Sequence, residues 1–163
     1  MQTITLKPMT AEMYHRYFRE FENDPDLFFD KSKFVPYTYS PVAVDRYIRR
    51  QIEKGRINLA VLYGEEIIGE IVLKDVEPGK CATIGMCMKN DTWKNRGFGA
   101  QAQRLAIRYV FDELHIPTLY ADALSTNLRS QHVMEKVGFV FTHADDMFRY
   151  YRIDKPIAHD PGL

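Results

Sequence analysis

The sequence predicts an α+β fold with a mixed β-sheet, and three observations carry this prediction. Short β-rich runs follow one another in the middle of the chain without a helix between them, and amphipathic helical patterns lie on both sides of these runs. The length of 163 residues suits one hydrophobic core, and 45% hydrophobic with 27% charged residues is an ordinary globular composition. We therefore expect residues 1–163 to form a single domain.

The first third of the chain predicts one strand followed by two helices. Residues 3–7 alternate in polarity as a strand does, and Thr10 is a favoured N-cap residue for the helix that follows. The apolar face of this helix consists of Tyr14, Tyr17, Phe18 and Phe21. After an irregular segment over residues 23–40, Ser40 and Pro41 form a typical start of a second helix.

The middle of the chain predicts an antiparallel meander. Residues 57–63 and 67–74 are β-rich, and the short segment 64–66 between them suits a hairpin turn. A second turn at residues 77–80 leads into another β-rich run over residues 81–88. Three neighbouring strands follow from this pattern.

The last third predicts a long helix, a strand, a short helix and two further strands. The long helix starts at the glycines of residues 97–99, and a strand-like run covers residues 118–124. Residues 128–137 form the short helix, and residues 139–142 and 147–153 are typical of strands. The complete order is strand, two helices, three strands, helix, strand, helix and two strands.

Charge and cysteine content exclude several classes of protein. Lys plus Arg number 22 and Asp plus Glu number 22, so the chain has no global field that would attract a nucleic acid. Cys81 and Cys87 lie about 20 Å apart by the rise of one strand, which is too far for a disulfide. No segment has the length of a membrane span or the pattern of a secretory signal. We expect a cytoplasmic protein without nucleic-acid or membrane partners, as a monomer or homodimer.

The most informative motif is KNRGFGA at residues 94–100, at the entrance of the long helix. Glycines at a helix start let a ligand approach the backbone, and the free N–H groups there suit an anion such as a diphosphate. Residues 97–102 also fit the dinucleotide fingerprint, with Asp122 about 20 residues further along. That fold needs the glycines directly after a parallel strand, whereas here hairpins and a polar stretch precede them. A glycine-capped connector without a ligand is the simpler alternative.

A second motif begins with NLRS at residues 127–130 and closes with EKVGF at residues 135–139. The order of elements resembles the GCN5-related N-acetyltransferase (GNAT) superfamily over nearly the whole chain. This order is a strand, a loop of the form Q/R-x-x-G-x-G/A, a helix, a strand and then these two segments. Trp93, Gly85 and the EKVGF segment are most similar to the branch that acetylates N-terminal alanines of ribosomal proteins.

The resemblance implies a fold, an activity and a site. The fold is a mixed, mostly antiparallel central sheet flanked by four helices in three α/β/α layers. The activity is direct transfer of an acetyl group from acetyl-CoA to a primary amine in a ternary complex. The pantetheine arm would run where strands 81–88 and 118–124 separate, paired with the main chain of Met86, Cys87 and Met88. The diphosphate would contact main-chain N–H groups of Lys94, Asn95, Arg96, Gly97, Phe98, Gly99 and Ala100. The residues near the cofactor and its sulfur would be Asn127 and Ser130.

Two positions depart from the family pattern. Lys94 stands where the family usually has Gln or Arg, and it retains a cation beside the diphosphate. Met134 stands where many members carry a tyrosine that protonates the departing thiolate. Because a thiol has an ordinary pKa near 8.5, modest help from Ser130 or a water molecule suffices, and Ser130 is the predicted acid. Asn127 and Ser130 also have structural interpretations, as a helix N-cap and as a residue bonded within its own helix.

Glu70 is the predicted base that takes a proton from the acceptor amine. Strand alternation places it on the same face as Ile68 and Val72, and a charge between two apolar neighbours indicates a pocket or a partner. A partly solvated strand glutamate is the alternative. The acidic residues between Glu20 and Asp30 border the acceptor site by family analogy and favour a cationic acceptor, or else form a solvated loop.

No metal site is predicted, because the five histidines show no paired spacing and no cysteine or carboxylate cluster surrounds them. Two other functions remain open from the sequence. The loss of the usual acid at Met134 is consistent with a CoA-binding or protein-interaction module without turnover. The glycine fingerprint leaves a dinucleotide-dependent oxidoreductase as the second rival.

Overall fold

The computed structural model describes residues 2–157 and contains one seven-stranded sheet with four α-helices. In chain order the elements are β1 (Ile4–Pro8), α1 (Ala11–Arg19), α2 (Pro41–Glu53), β2 (Ile57–Tyr63), β3 (Glu66–Glu77), β4 (Cys81–Met88), α3 (Phe98–Arg108), β5 (Thr118–Leu124), α4 (Leu128–Lys136), β6 (Val140–Ala144) and β7 (Phe148–Asp154). Short 3-10 turns occupy Pro25–Leu27, Lys31–Lys33 and Asp91–Trp93, and a wider helical turn over Tyr109–Glu113 extends α3. The predicted order of strands and helices is confirmed.

The sheet is mixed and mostly antiparallel. Its strands are ordered β1-β2-β3-β4-β5-β7-β6, and within the described chain β4 and β5 are the one parallel pair. The predicted meander of β2, β3 and β4 is present, and β7 inserts between β5 and β6. The predicted fold class is therefore confirmed.

The first two helices begin where the sequence indicated. The Thr10 hydroxyl accepts a hydrogen bond from the Met13 N–H at 3.2 Å, and the Ser40 hydroxyl accepts one from the Ala43 N–H at 3.3 Å. Each bond satisfies one of the N–H groups that a helix start leaves without an acceptor. None of the helices between residues 2 and 157 is long and apolar enough to cross a membrane.

The helices cover both faces of the sheet, which gives three layers. On one face, Tyr17 of α1 packs against Ala60 and Leu62 of β2 and Ile67 of β3. On the other face, α3 and α4 pack against β-strand residues in the larger core cluster, which includes Leu59, Val61, Ala102, Ala106, Ala121 and Met134. Because successive strand residues point to opposite faces, neighbouring residues of β2 serve different layers.

A β-bulge in β3 changes which residues share a face with Glu70. Leu62 pairs with Ile67 and Val61 pairs with Gly69, so Ile68 is an extra residue between the two pairs. Ile68 packs in the larger cluster, whereas Glu70 pairs with Ala60 on the face that α1 covers. The expectation that Ile68 lies beside Glu70 is thus wrong, because strict alternation fails across a bulge.

Candidate active site

A cavity lies where β4 and β5 separate. These two strands pair only from Cys81 to Ile84 and from Thr118 to Ala121. Beyond these pairs they enclose, together with α3 and α4, a cavity of about 590 Å³, a size typical of cofactor sites. Within the part of the chain that the structure describes, the edge of β4 from Gly85 to Met88 has no partner strand on the β5 side, so main-chain groups along this edge are available to a ligand, although the Cys87 carbonyl accepts a hydrogen bond from the Tyr17 hydroxyl.

The start of α3 forms one end of this cavity. Main-chain N–H groups of residues 95–100 have no acceptor among the described residues, and Gly97 provides no capping side chain. Asn95 and Gly97 both have left-handed backbones, with φ of 58° and 80°. At Gly99, a β-carbon would lie 3.1 Å from Met86 Cε, so glycine brings the helix start close to β4. Such a cluster of free N–H groups at a helix start can bind a diphosphate.

Most of the predicted cofactor-binding residues line the cavity. They are Met86, Cys87, Met88, Lys94, Asn95, Gly97, Gly99, Ala100, Asn127 and Ser130. Arg96 and Phe98 do not line it: the Arg96 guanidinium lies over Trp93 and Phe98, 5.3 and 4.9 Å from the ring centroids. Any contact of these two residues with a ligand in the cavity would therefore come from their main chain.

The Lys94 ammonium is already paired with two carboxylates. Its Nζ atom lies 2.9 Å from Asp24 Oδ2 and 2.8 Å from Asp91 Oδ1, and Arg129 binds the same Asp24 oxygen. Burial disfavours the charged form of Asp24 and so raises its pKa. Hydrogen bonds from Lys94 and the Asp26 N–H, together with the charges of Lys94 and Arg129, outweigh burial and lower the pKa of Asp24 below its ordinary value. The sequence predicted a cation beside the diphosphate at Lys94, and in the structure two carboxylates pair with this cation.

The acidic segment between residues 20 and 30 is also largely paired. Glu20 forms an ion pair with the buried Lys89, and Asp26 lies 2.7 Å from the Lys31 ammonium. The Asp30 carboxylate accepts hydrogen bonds from the N–H and the hydroxyl of Ser32. These carboxylates hold the irregular segment together, so they give little support to a cationic acceptor.

Glu70 lies outside the cavity lining, beneath α1 and α2. The residue is 5% exposed, and its carboxylate accepts hydrogen bonds from the hydroxyls of Tyr14 at 2.7 Å and Tyr47 at 3.1 Å, and from Asn58 Nδ2 at 2.9 Å. Burial raises the pKa of Glu70 above its ordinary value, against the opposing effect of these donors. A carboxylate enclosed by three donors has little access to an incoming amine.

Asp122 is the carboxylate that the sequence reasoning missed as a candidate base. It lies on β5 just beyond the last pair with β4 and lines the cavity, and its carboxylate forms no hydrogen bond or ion pair with another residue of the described chain. Its neighbours Ala121 and Ala123 belong to the core on the α3 side, so the Asp122 side chain lies at the other side of the gap between β4 and β5, on the face of the sheet that α1 covers. The alternation Ala-Asp-Ala was the available signal, but it was considered only as part of a dinucleotide fingerprint.

The residues expected near the sulfur lie at the start of α4. Asn127 caps this helix, because its Oδ1 atom accepts a hydrogen bond from the Ser130 N–H at 3.1 Å. The Ser130 hydroxyl lines the cavity and bonds to no other group between residues 2 and 157, so it does not bond back within the helix. Met134 follows one turn later, also in the cavity wall. Burial raises the pKa of the Cys87 thiol to about 11, which argues against a nucleophilic role.

Within the described residues, no group of three or more His, Cys, Asp or Glu side chains could hold a metal ion. His159, one of the five histidines considered above, lies outside the described range.

Comparison with known proteins identifies the family. A family model described as an acetyltransferase (GNAT) domain matches residues 3–140. The chain belongs to the GNAT acetyltransferase family. The predicted superfamily and enzyme class are thus confirmed, since GNAT enzymes transfer acetyl groups from acetyl-CoA. The narrower resemblance to the ribosomal-protein branch is not decided by this match.

Solved structures share the GNAT fold at low sequence identity. An N-acetyltransferase from Campylobacter jejuni, PseH, in complex with acetyl coenzyme A is 20% identical, with a TM-score of 0.69 and coverage of 94% of this chain and all of the other (100%). An acetyltransferase of the GNAT family from Bacillus anthracis is 17% identical, with a TM-score of 0.70 over 94% and 98% of the two chains. The aminoglycoside acetyltransferase AAC(6')-Ib in complex with coenzyme A is 15% identical, with a TM-score of 0.72 over 94% and 95%. No curated protein sequence matches the chain significantly.

Proposed function

We propose that this GNAT protein transfers the acetyl group of acetyl-CoA to a primary amine by direct attack in a ternary complex. The observation that carries the proposal is the cavity between β4 and β5, which joins an unpaired strand edge to the free N–H groups of residues 95–100. An extended arm with amide groups fits the strand edge, and a diphosphate fits the helix start. Coenzyme A combines both parts in one molecule.

Two proton transfers accompany the reaction, and we assign a side chain to each. The amine nitrogen attacks the thioester carbon, a C–N bond forms and the C–S bond breaks. We assign the amine proton to Asp122, directly or through water, because this carboxylate lines the cavity and has no partner among residues 2–157. The thiolate takes a proton from the Ser130 hydroxyl or from a water molecule, in place of the tyrosine that Met134 replaces. Glu70, the base expected from the sequence, instead holds α1 and α2 on the sheet through Tyr14 and Tyr47.

The acceptor is proposed only as a class, a primary amine. The ribosomal-protein resemblance supports an N-terminal alanine, and the structural likeness to AAC(6')-Ib supports an amino sugar.

The two cysteines are free, which suits a reducing cytoplasm as the setting.

Two measurements test the proposal. Binding of CoA and of NAD(P) is measured by calorimetry, and release of free CoA thiol is followed with an alanine-starting peptide, a polyamine, an amino acid and an aminoglycoside. Binding of CoA and turnover with at least one amine are expected. CoA binding without turnover would favour the interaction module. Binding of NAD(P) without binding of CoA would favour the oxidoreductase.

Asp122→Asn tests the base. It should lower kcat about 100-fold or more and leave the acetyl-CoA dissociation constant unchanged. Asp146→Asn, an exposed carboxylate in the turn before β7, is the matched control and should behave as wild type. A wild-type kcat in Asp122→Asn would remove Asp122 from the mechanism.

A further inference from the structure

Gln103 is a buried polar residue that the proposed reaction does not use. It lies on α3, is 5% exposed and lines the cavity between β4 and β5. Its Oε1 atom is shielded from solvent and accepts no hydrogen bond from any residue that the structure describes. A buried amide without a partner is unfavourable, and Leu or Met would fill the same space without this cost. Contacts within the described protein therefore do not explain why a glutamine is buried at this position.

The position of Gln103 relates it to the start of the same helix. Gly99 and Ala100 precede it by four and three residues, so the three residues share one face of α3. All three line the cavity. A ligand that contacts the free N–H groups around Gly99 and continues into the cavity would pass Gln103 about one helical turn further on.

The opposite wall leaves Gln103 as an isolated amide. Ser130, Val133 and Met134 of α4 face the cavity across from α3, and Val133 and Met134 are apolar. The terminal torsion of a glutamine side chain is soft, so Gln103 can turn either its oxygen or its nitrogen toward the cavity. It can thus accept a hydrogen bond from an amide N–H or donate one to an amide carbonyl.

We propose that the Gln103 side chain hydrogen bonds an amide group of the pantetheine arm of coenzyme A. The proposal rests on the proposed function, because it takes the diphosphate to lie at the start of α3. The pantetheine arm carries two amides between the diphosphate and the sulfur, which is the part of the ligand that would lie beside Gln103. The unpaired edge of β4 would hold the same arm from the other side. Gln103 is then a cofactor-binding residue on α3, outside the glycine motif.

Three ligands distinguish this contact from its alternatives. CoA and acetyl-CoA both carry the arm, whereas adenosine 3′,5′-bisphosphate carries no arm. Gln103→Met keeps the length of the side chain and removes its amide, and Gln101→Met on the exposed side of α3 is the matched control. Dissociation constants are measured by calorimetry, and thermal unfolding of the ligand-free proteins is recorded in parallel.

Gln103→Met should weaken CoA and acetyl-CoA equally, by about 3- to 10-fold, the usual value of one net hydrogen bond. Binding of adenosine 3′,5′-bisphosphate should not change, and the ligand-free variant should unfold at the wild-type temperature or above it. Gln101→Met should match wild type in every measurement. Gln103→Leu provides a second variant should the methionine pack poorly.

Three results would overturn the proposal. Unchanged CoA affinity in both Gln103 variants would show that the amide does not contact the cofactor. Equal weakening of adenosine 3′,5′-bisphosphate would indicate a structural effect on the helix start. Weakening of acetyl-CoA alone would place Gln103 at the acyl group instead. In each case wild-type binding of CoA would persist, whereas failure of the proposed function would show as no CoA binding by the wild type.

Discussion

Substitution of Gly97 separates the effect of backbone strain from the effect on ligand binding. Gly97 is the N-cap of α3, with φ of 80° and ψ of −2°, and no atom lies within 4 Å of the position that a β-carbon would occupy. Alanine at this position therefore meets no protein atom. Its cost comes from the left-handed backbone, about 1–2 kcal/mol for a residue with a β-carbon.

The structure provides matched controls for this cost. Gly79 and Gly55 also have left-handed backbones, with φ of 72° and 62°, and a β-carbon at either position would likewise meet no atom within 4 Å. Neither glycine lines the cavity. Gly97→Ala, Gly79→Ala and Gly55→Ala should all lose similar stability. At about 2–4 °C per kcal/mol for a domain of this size, each should lower Tm by about 2–8 °C.

Only Gly97→Ala should change cofactor binding. The open space beside Gly97 is where a phosphate oxygen would approach the free N–H groups of residues 95–100. Loss of one hydrogen bond to a charged group is worth about 1.5–3 kcal/mol, which corresponds to affinity for CoA about 10- to 100-fold weaker. Calorimetric titration with CoA and scanning calorimetry of the three variants provide both numbers. A folded Gly97→Ala protein that binds CoA as tightly as the two controls would refute the placement of the diphosphate. Gly97→Val should block binding more strongly, but its branched side chain adds strain.

Two further substitutions test the buried charges, and a third, at an exposed carboxylate, is a control. Because burial raises the pKa of Glu70 above 4.5, the wild type should lose stability relative to Glu70→Gln as the pH rises from about 4.5 toward neutral. Thermal unfolding between pH 4 and 8 measures this difference, and a difference independent of pH would contradict the raised pKa. Asp24→Asn should destabilise the protein by about 1–3 kcal/mol, because it leaves Lys94 and Arg129 without their shared buried partner. Asp91→Asn removes an exposed partner of Lys94 and should cost less than about 1 kcal/mol. Denaturant titration of both variants measures the two losses, and equal losses would show that burial of Asp24 is unimportant.

The sequence predicted the backbone of the site better than its side chains. The helix start at Phe98 after Gly97, the meander before it and the strand over residues 118–124 all follow from local spacing and local residue preferences. For this reason the glycine loop could be recognised from the sequence. The family resemblance added the separation of β4 and β5, which no local pattern encodes.

The side-chain environments depended on contacts that alternation alone does not reveal. Glu70 was expected beside a pocket, but one extra residue in β3 and the hydroxyls of Tyr14 and Tyr47 enclose it. Lys94 was expected to place a cation beside the diphosphate, but Asp24, 70 positions earlier, pairs with that cation. A carboxylate or an ammonium group has the same sequence signature whether it is free or paired.

From the sequence alone came the order of the elements, the glycine-rich helix start and the family, because these depend on residues close together along the chain. Only the tertiary structure decided that the Asp122 carboxylate and the buried Gln103 side chain lie at the cavity without a partner between residues 2 and 157, and that Glu70 is enclosed. The physical reason is that burial and pairing are properties of the space around a side chain, and that space is formed by segments far apart in the sequence.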